Sequence, residues 1–418
     1  MSGMRGEANA VAHLRRDALD IAQAALSAVH GRVVVAKELR DHAVTAPVHL
    51  IAVGKAAAAM ASGALDVWGD AIVRGLVITK PGHGEHSLTQ RDHFICMESA
   101  HPLPDARSVA AGAALLDFIE STPADAGLLF LISGGASSLV EVLAPGVALE
   151  DLQRANAWLL CSGLPIAAVN TVRKELSAIK GGKLLRWLGG RATLALLISD
   201  VQHDDPALIG SGLLSAGVDA PRWDEWVLPS WLTELCQRAP SVDAVADAQV
   251  ETRIVACLAD AKRAAAQYAQ ALGYACHVHA EFLAGEASHT GQGLARSLLA
   301  ATPGVHIWGG ETTVALPACP GRGGRNQTLA LAAALALQDR ADCVLLALAS
   351  DGSDGPGEDA GALVDRGSVA RGVQAGCDAQ QCLTNADAGT FLEASGDLVH
   401  TGPTGTNVMD ILIGIKTA

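Results

Sequence analysis

Aromatic side chains are scarce in this chain, at 3% of its 418 residues. With 50% of the residues hydrophobic, a large core is still available, but it must be aliphatic and rich in alanine. Blocks of basic residues are lacking, and the formal net charge is −14. A chain of that sign is a poor partner for nucleic acid or an anionic membrane, so any anion it binds must sit in a local positive pocket. The nine cysteines are scattered, with neither CxxC nor zinc spacing, which fits free thiols in a reducing cytoplasm. No apolar run is long enough to cross a bilayer, Leu329–Leu337 being typical, and the start, MSGMRGEANAVAHLRR, carries no apolar signal segment. Two nucleotide fingerprints are also missing. GxxxxGK[ST] does not occur, and no GxGxxG follows a strand with an acidic residue about 20 positions on, which weighs against a nicotinamide dehydrogenase.

What is present is an alternation of apolar runs and helical patterns. Strands are expected at Val48–Val53, Ala71–Thr79, Phe94–Glu98, Gly127–Ile132 and Thr193–Ile198, and later at Ala275–Ala280, Val305–Trp308, Thr312–Leu316 and Cys343–Ala349. A hairpin-like pair, Leu398–Thr401 and Asp410–Ile415, closes the series. Helical spacing marks Ala8–His30, Ala106–Glu120, Leu149–Ser162, Ile166–Leu188, Asp247–Ala271 and Gly285–Ala301. The chain is long enough for two or three domains, and the alternation predicts α/β units around mostly parallel sheets. The proline-bearing stretch 215–250 is the natural connection, giving domains 1–238 and 239–418.

The chemistry gathers in the turns. In parallel α/β sheets ligands collect outside the carboxyl ends of the strands, and the turns after Val53, Ile132, Ile198, Trp308 and Ala349 are polar or glycine-rich. Lys55 follows Gly54 at a helix start, where it is either a surface lysine or a phosphate ligand. Ser133, Gly134, Gly135, Ala136, Ser137 and Ser138 can offer amide and hydroxyl donors to phosphates, or form a plain strand-to-helix turn. Arg173, Lys174, Lys180 and Lys183 are either an exposed basic helix face or a cationic wall. Asp200, Asp351 and Asp354 stand in turns of the kind that suits Mg²⁺, which takes one or two carboxylates with phosphate oxygens and water; caps and turns use the same residues. Glu311 stands beside Gly309 and Gly310 at another strand end. Gly321–Gln327, read GRGGRNQ, sets Arg322 and Arg325 among three glycines just before a helix, a combination that attracts carboxylate or phosphate. Glycine-rich anion loops, cations and acidic turns are together the parts that phosphoryl transfer needs.

Taken in order, GKAA (Gly54–Ala57), HPLPD (His101–Asp105), SGGASS, NTVRKELSAIKGGKL (Asn170–Leu184), SDVQHDDPALIGSG (Ser199–Gly212), GGETTV (Gly309–Val314), GRGGRNQ, SDGSDGP (Ser350–Pro356) and TGPTGTNVMD (Thr401–Asp410) resemble the glycerate 2-kinase family, whose C-terminal part is the MOFRL region and whose older label is hydroxypyruvate reductase. The resemblance implies a Rossmann-like N-terminal domain, a distinct C-terminal α/β domain and an active site in the interdomain cleft. It implies ATP-dependent phosphorylation of D-glycerate to 2-phosphoglycerate with Mg²⁺ or another divalent cation, the alternative being an NAD(P)H-dependent hydroxypyruvate reductase. Lys55, Asp200 and Arg325 match the family's active-site lysine, aspartate and arginine. The resulting expectation is that Lys55, Arg325 and Glu311 bind substrate, with Arg325 on its carboxylate. Ser133–Ser138 would hold the nucleotide, and Asp200, Asp351 and Asp354 the metal. Partners are then small molecules, with neither nucleic acid nor membrane, and a homodimer is the candidate assembly. Where the family motif reads SDVPGDDP, this chain has Gln202 and His203.

Overall fold

The computed structural model of the chain describes residues 2–44, 46–164, 166–215, 223–239, 250–338, 340 and 342–417. Two compact units emerge, one of His30–Ala256 and the other of Met1–Val29 with Cys257–Ala418. The first is therefore inserted into the second, and neither junction is at 238. Part of the expected connection, residues 216–222 and 240–249, lies outside the described residues, as does the start of the helix expected from Asp247. The stretch from Val250 to Ala256 is a strand instead, and the helix begins at Leu258.

The inserted unit is built on a six-stranded parallel sheet. Its strands are β1 (Val48–Val53), β2 (Ile72–Thr79), β3 (Phe94–Glu98), β4 (Gly127–Ile132), β5 (Thr193–Ile198) and β6 (Val250–Ala256), in the order β3-β2-β1-β4-β5-β6. That is the doubly wound dinucleotide-fold order, and the connectivity reverses between β1 and β4. Val53 pairs with Ile132, and Ile132 with Leu197, so β1, β4 and β5 end along one edge. β1 and β4 are nearly all buried because they are mostly apolar runs covered on both faces, β1 carrying one buried polar residue, His49. Beside this sheet the helices Leu149–Cys161, Ile166–Glu175 and Ser230–Arg238 share a separate apolar cluster that includes Leu152, Val172 and Leu232.

The other unit has a mixed sheet of six strands: β7 (Cys276–Leu283), β8 (Gly304–Gly310), β9 (Cys343–Ala349), β10 (Gly361–Asp365), β11 (Leu398–Val399) and β12 (Asp410–Lys416), ordered β11-β10-β9-β12-β8-β7. β12 runs antiparallel between β8 and β9, while β11 pairs with β10, so the expected closing hairpin does not form. Nor is Thr312–Leu316 a strand; the segment makes a single bridge, Thr313 to Glu286, and then meets Pro317, which has no N–H to give a ladder. The helix Arg325–Leu337 buries an unbroken face of alanines and leucines against the sheet.

The opening helix, Ser2–Ala28, belongs to this second unit. Arg15 pairs with Asp365 at 2.5 Å and Asp397 at 3.0 Å, and Tyr274 Oη donates to Asp17 at 2.5 Å. By length and composition alone Ala10–Leu39 is apolar enough to span a membrane. Half of its apolar window is buried in the protein, and the helix breaks before Gly31, where His30 caps a new one.

Candidate active site

Lys55 and the Ser133–Ser138 turn meet at the switch point of the parallel sheet. Gly54 leaves β1 with φ of 134°, and a Cβ there would lie 2.2 Å from Ser133 Oγ, so only glycine lets the two turns touch. The contact is then sealed by Lys55 N–H donating to Gly134 O (2.9 Å) and Ala56 N–H to Ser133 Oγ (3.0 Å). Gly135 is left-handed (φ 85°), and a Cβ on it would lie 3.3 Å from Lys55 Cγ and 3.1 Å from the His101 ring. Among the described residues the amides of Gly134 and Gly135 donate to no protein acceptor, which fits a turn that receives an anion. Ser137 Oγ is 2.7 Å from Ser211 Oγ, and Gly181 N–H donates to Ser211 O, so three motifs of the sequence lock into one edge. The half-buried Asp200 stands at the end of β5 on the same edge. Just beyond it His203 and Asp204 are left-handed, at φ 68° and 54°, where the family pattern puts glycine for the first of them.

The cations at 173–183 are not an exposed face. Lys180 forms a buried ion pair with Glu141, whose other oxygen accepts from Ser177 Oγ at 2.6 Å. Lys183 Nζ donates to Lys174 O and Ser177 O, both at 2.8 Å, and Lys174 Nζ to Ala207 O at 2.9 Å. Burial lowers the pKa of Lys174 and of Lys183. Arg173 and Lys180 line a cavity of about 200 Å³ together with His101, Ser137, Ser138 and Asn156.

In the second unit Arg325 lies within the first helical turn, three residues before Thr328, since Gly324 is the cap. Its Nε and Nη2 grip Asp410 at 2.5 and 2.9 Å, and Nη1 lies 2.8 Å from Glu311. The register explains the meeting, because Asp410 at the start of β12 pairs with Gly310 on one side and Ala349 on the other. Burial opposes the Arg325 charge, but Asp410 and Glu311 outweigh it and raise the pKa. Asp410, 2% exposed, is the residue sequence reasoning missed, although it closes the TGPTGTNVMD motif.

Asp354 does not stand open as a metal ligand. It is 1% exposed and both carboxylate oxygens accept backbone amides of the helix start, from Asn326 at 3.0 Å and Gln327 at 2.8 Å. Burial, with Asp410 adding to it against those amides, pushes its pKa up to about 6. Asp351 is also buried and takes Ser353 N–H at 3.0 Å. Arg322 is spent on the loop, pairing with Glu393 at 2.6 Å and Asp359 at 3.1 Å. No cluster of three or more His, Cys, Asp or Glu among the described residues is arranged to hold a metal.

The family models divide the chain near these two units but not at their junctions, the first starting inside the opening helix and stopping short of β6. Residues 17–223 match a domain of unknown function, DUF4147, and residues 304–410 match the MOFRL family. The D-glycerate 2-kinase of Thermotoga maritima is 37% identical over 88% of this chain and 90% of its own length. The glycerate 2-kinase of Pyrococcus horikoshii is 32% identical over 91% of this chain and 89% of its own. The crystal structure of glycerate kinase from Thermotoga maritima superposes with a TM-score of 0.81 at 33% identity, covering 97% of this chain and all of that one. A relative in Agrobacterium vitis, 36% identical over 87% of this chain and 97% of its own, carries the hydroxypyruvate reductase name. These relatives define an enzyme of the phosphotransferase class, built here from a doubly wound parallel unit and a mixed-sheet unit. Within that class the chain belongs to the glycerate 2-kinase family.

Proposed function

We propose that the protein transfers the γ-phosphoryl group of ATP to D-glycerate, giving 2-phosphoglycerate. The reading is carried by the 37% identity with a D-glycerate 2-kinase across 88% of the chain. The switch-point geometry supports it: Lys55 and the open amides of Gly134 and Gly135 suit phosphate oxygens. The doubly wound strand order is compatible with a reductase too, but the turn after β1 lacks the dinucleotide glycine fingerprint.

In this reading Lys55, Asp200 and Arg325 are the catalytic residues. Ser133–Ser138 receive the nucleotide phosphates. Lys55 balances charge on the group in transfer, as phosphoryl transfer is positioning and electrostatics more than covalent work. Asp200 orients the attacking hydroxyl and accepts its proton. Arg325 meets the phosphoryl oxygens from the first turn of its helix, where Asp410 holds its Nε and Nη2 edge. Mg²⁺ bound with the nucleotide would neutralise phosphate charge, and it needs only one or two carboxylates. Of the three acidic residues proposed for it, Asp200 and Asp351 are retained, whereas Asp354 is committed to the helix cap. A cytoplasmic setting, organic-acid metabolism and a homodimer belong to the same proposal.

The test is purified protein with D-glycerate and Mg-ATP, coupled directly to enolase. ADP release with enolase-competent product supports the assignment. Product that requires a phosphoglycerate mutase before enolase would move the transfer to the other hydroxyl. NADH oxidation with hydroxypyruvate, and no ADP, would overturn the kinase reading.

A further inference from the structure

The cavity beside the Ser133–Ser138 turn has a chemistry that the assignments above leave unused. It is walled by Pro102, Pro104 and Leu152 and floored by polar groups. Of its two cations, Lys180 is already neutralised by Glu141. Arg173 is not. Among the described residues its one side-chain hydrogen bond is from Nε to Asn156 Oδ1 at 2.7 Å, and no carboxylate pairs with it. Asn156 is itself buried, 4% exposed, and spends its acceptor on the arginine, which anchors the guanidinium beside the cavity that both residues line.

A half-buried guanidinium without a counter-ion is costly, because the loss of water is not offset by a fixed negative charge. Burial accordingly depresses its pKa. A planar fork of donors in this state matches a carboxylate in two parallel hydrogen bonds. The contrast with Arg325 is direct, since that guanidinium is matched by Asp410 and Glu311 and has Asp354 nearby. The apolar walls and the volume of about 200 Å³ suit a short organic acid better than a nucleotide. Lys55 is next to this cavity, since a Cβ on Gly135 would meet both the His101 ring of the cavity lining and Lys55 Cγ.

We propose that Arg173, held by Asn156, is the receptor for the carboxylate of the substrate acid, in place of Arg325. The inference rests on the kinase reading for the identity of the acid, but the anion site stands on the cavity itself. Arg173→Gln should raise KM for D-glycerate on the order of 10–100-fold, as expected for loss of a charged, doubly hydrogen-bonded contact. KM for ATP should not move and kcat should change little. Arg173→Lys, which keeps charge and loses the fork, should fall between. Calorimetric titration of D-glycerate without nucleotide should show binding to the wild type that Arg173→Gln weakens equally, with glycerol, the uncharged analogue, binding to neither. An unchanged KM for D-glycerate in a folded Arg173→Gln protein, or a rise confined to ATP, overturns the proposal while leaving the kinase reading intact. Arg173-dependent binding of D-glycerate in a protein without phosphotransfer would do the reverse. A melting temperature equal to wild type for Arg173→Lys separates either result from misfolding.

Discussion

At the level of single residues, charge placement decides most of the expected chemistry. Lys55 stands where the sheet's connectivity reverses, held by its own backbone against Gly134. Lys55→Ala should lower kcat about 10²–10³-fold, the usual effect of removing one electrostatic donor to a transition state, with the circular dichroism spectrum unchanged. Wild-type turnover in that variant would remove Lys55 from the mechanism. Asp354 leads to a pH experiment. Its carboxyl group has a pKa near 6 when folded against 3.8 as the ordinary value, so between those values the folded state binds the proton and the unfolded chain does not. The group therefore stabilises the fold fully below pH 3.8, and that contribution fades as pH rises through about 6. A shift of this size corresponds to about 3 kcal/mol. Asp354→Asn keeps an acceptor for the helix amides and cannot ionise. The stability of wild type relative to this variant, from urea unfolding, should fall between pH 4 and pH 7; a difference independent of pH would contradict the raised pKa.

Among the elements, the two turns that join β1 and β4 are the most sensitive, because each occupies the space a side chain would need. Gly54→Ala puts a methyl group onto Ser133 and asks for a left-handed φ at once. It should cost roughly 1–3 kcal/mol from backbone strain alone, seen as a lower Tm, and should reduce activity by parting Lys55 from the turn. The same elements show what could be read in advance. β1, β4, β5 and β9 are legible because each is a short, mostly apolar run stopped by Gly or Ser. β6 was obscured because VETRIVA is an exposed edge strand with charges on it, and a helical pattern follows at once. β12 was found but given the wrong neighbours, since its partners β8 and β9 lie far away in sequence and local pattern cannot choose among strands. For the same reason Arg325 was singled out while Asp410, 85 residues on, was not. In the sequence Arg173 is one of four cations, and only the buried bonds of the other three set it apart.

For the whole molecule, the chain divides at Val29 and Ala256 because the opening helix is bound by ion pairs and packing to the far end of the sequence. Residues 30–256 expressed alone should fold, with a cooperative thermal transition. Residues 257–418 alone should lack one until the peptide 2–29 is supplied; a stable, cooperative 257–418 fragment would contradict the pairing of Arg15 with Asp365 and Asp397 as a structural necessity. The place of β12 has a consequence in the order of synthesis. Domains tend to fold as they leave the ribosome, and the inserted unit has every strand it needs once Ala256 is clear. The other unit has its first helix before the inserted unit and its central strand more than 150 residues beyond it, so that helix must wait with its apolar face uncovered while the inserted unit and the later strands are made. Arg325 and Glu311 likewise wait for Asp410. A nascent chain stalled before β12 would hold a finished phosphate turn and an unfinished arginine cluster, so partial products of synthesis should be inactive and dependent on chaperones.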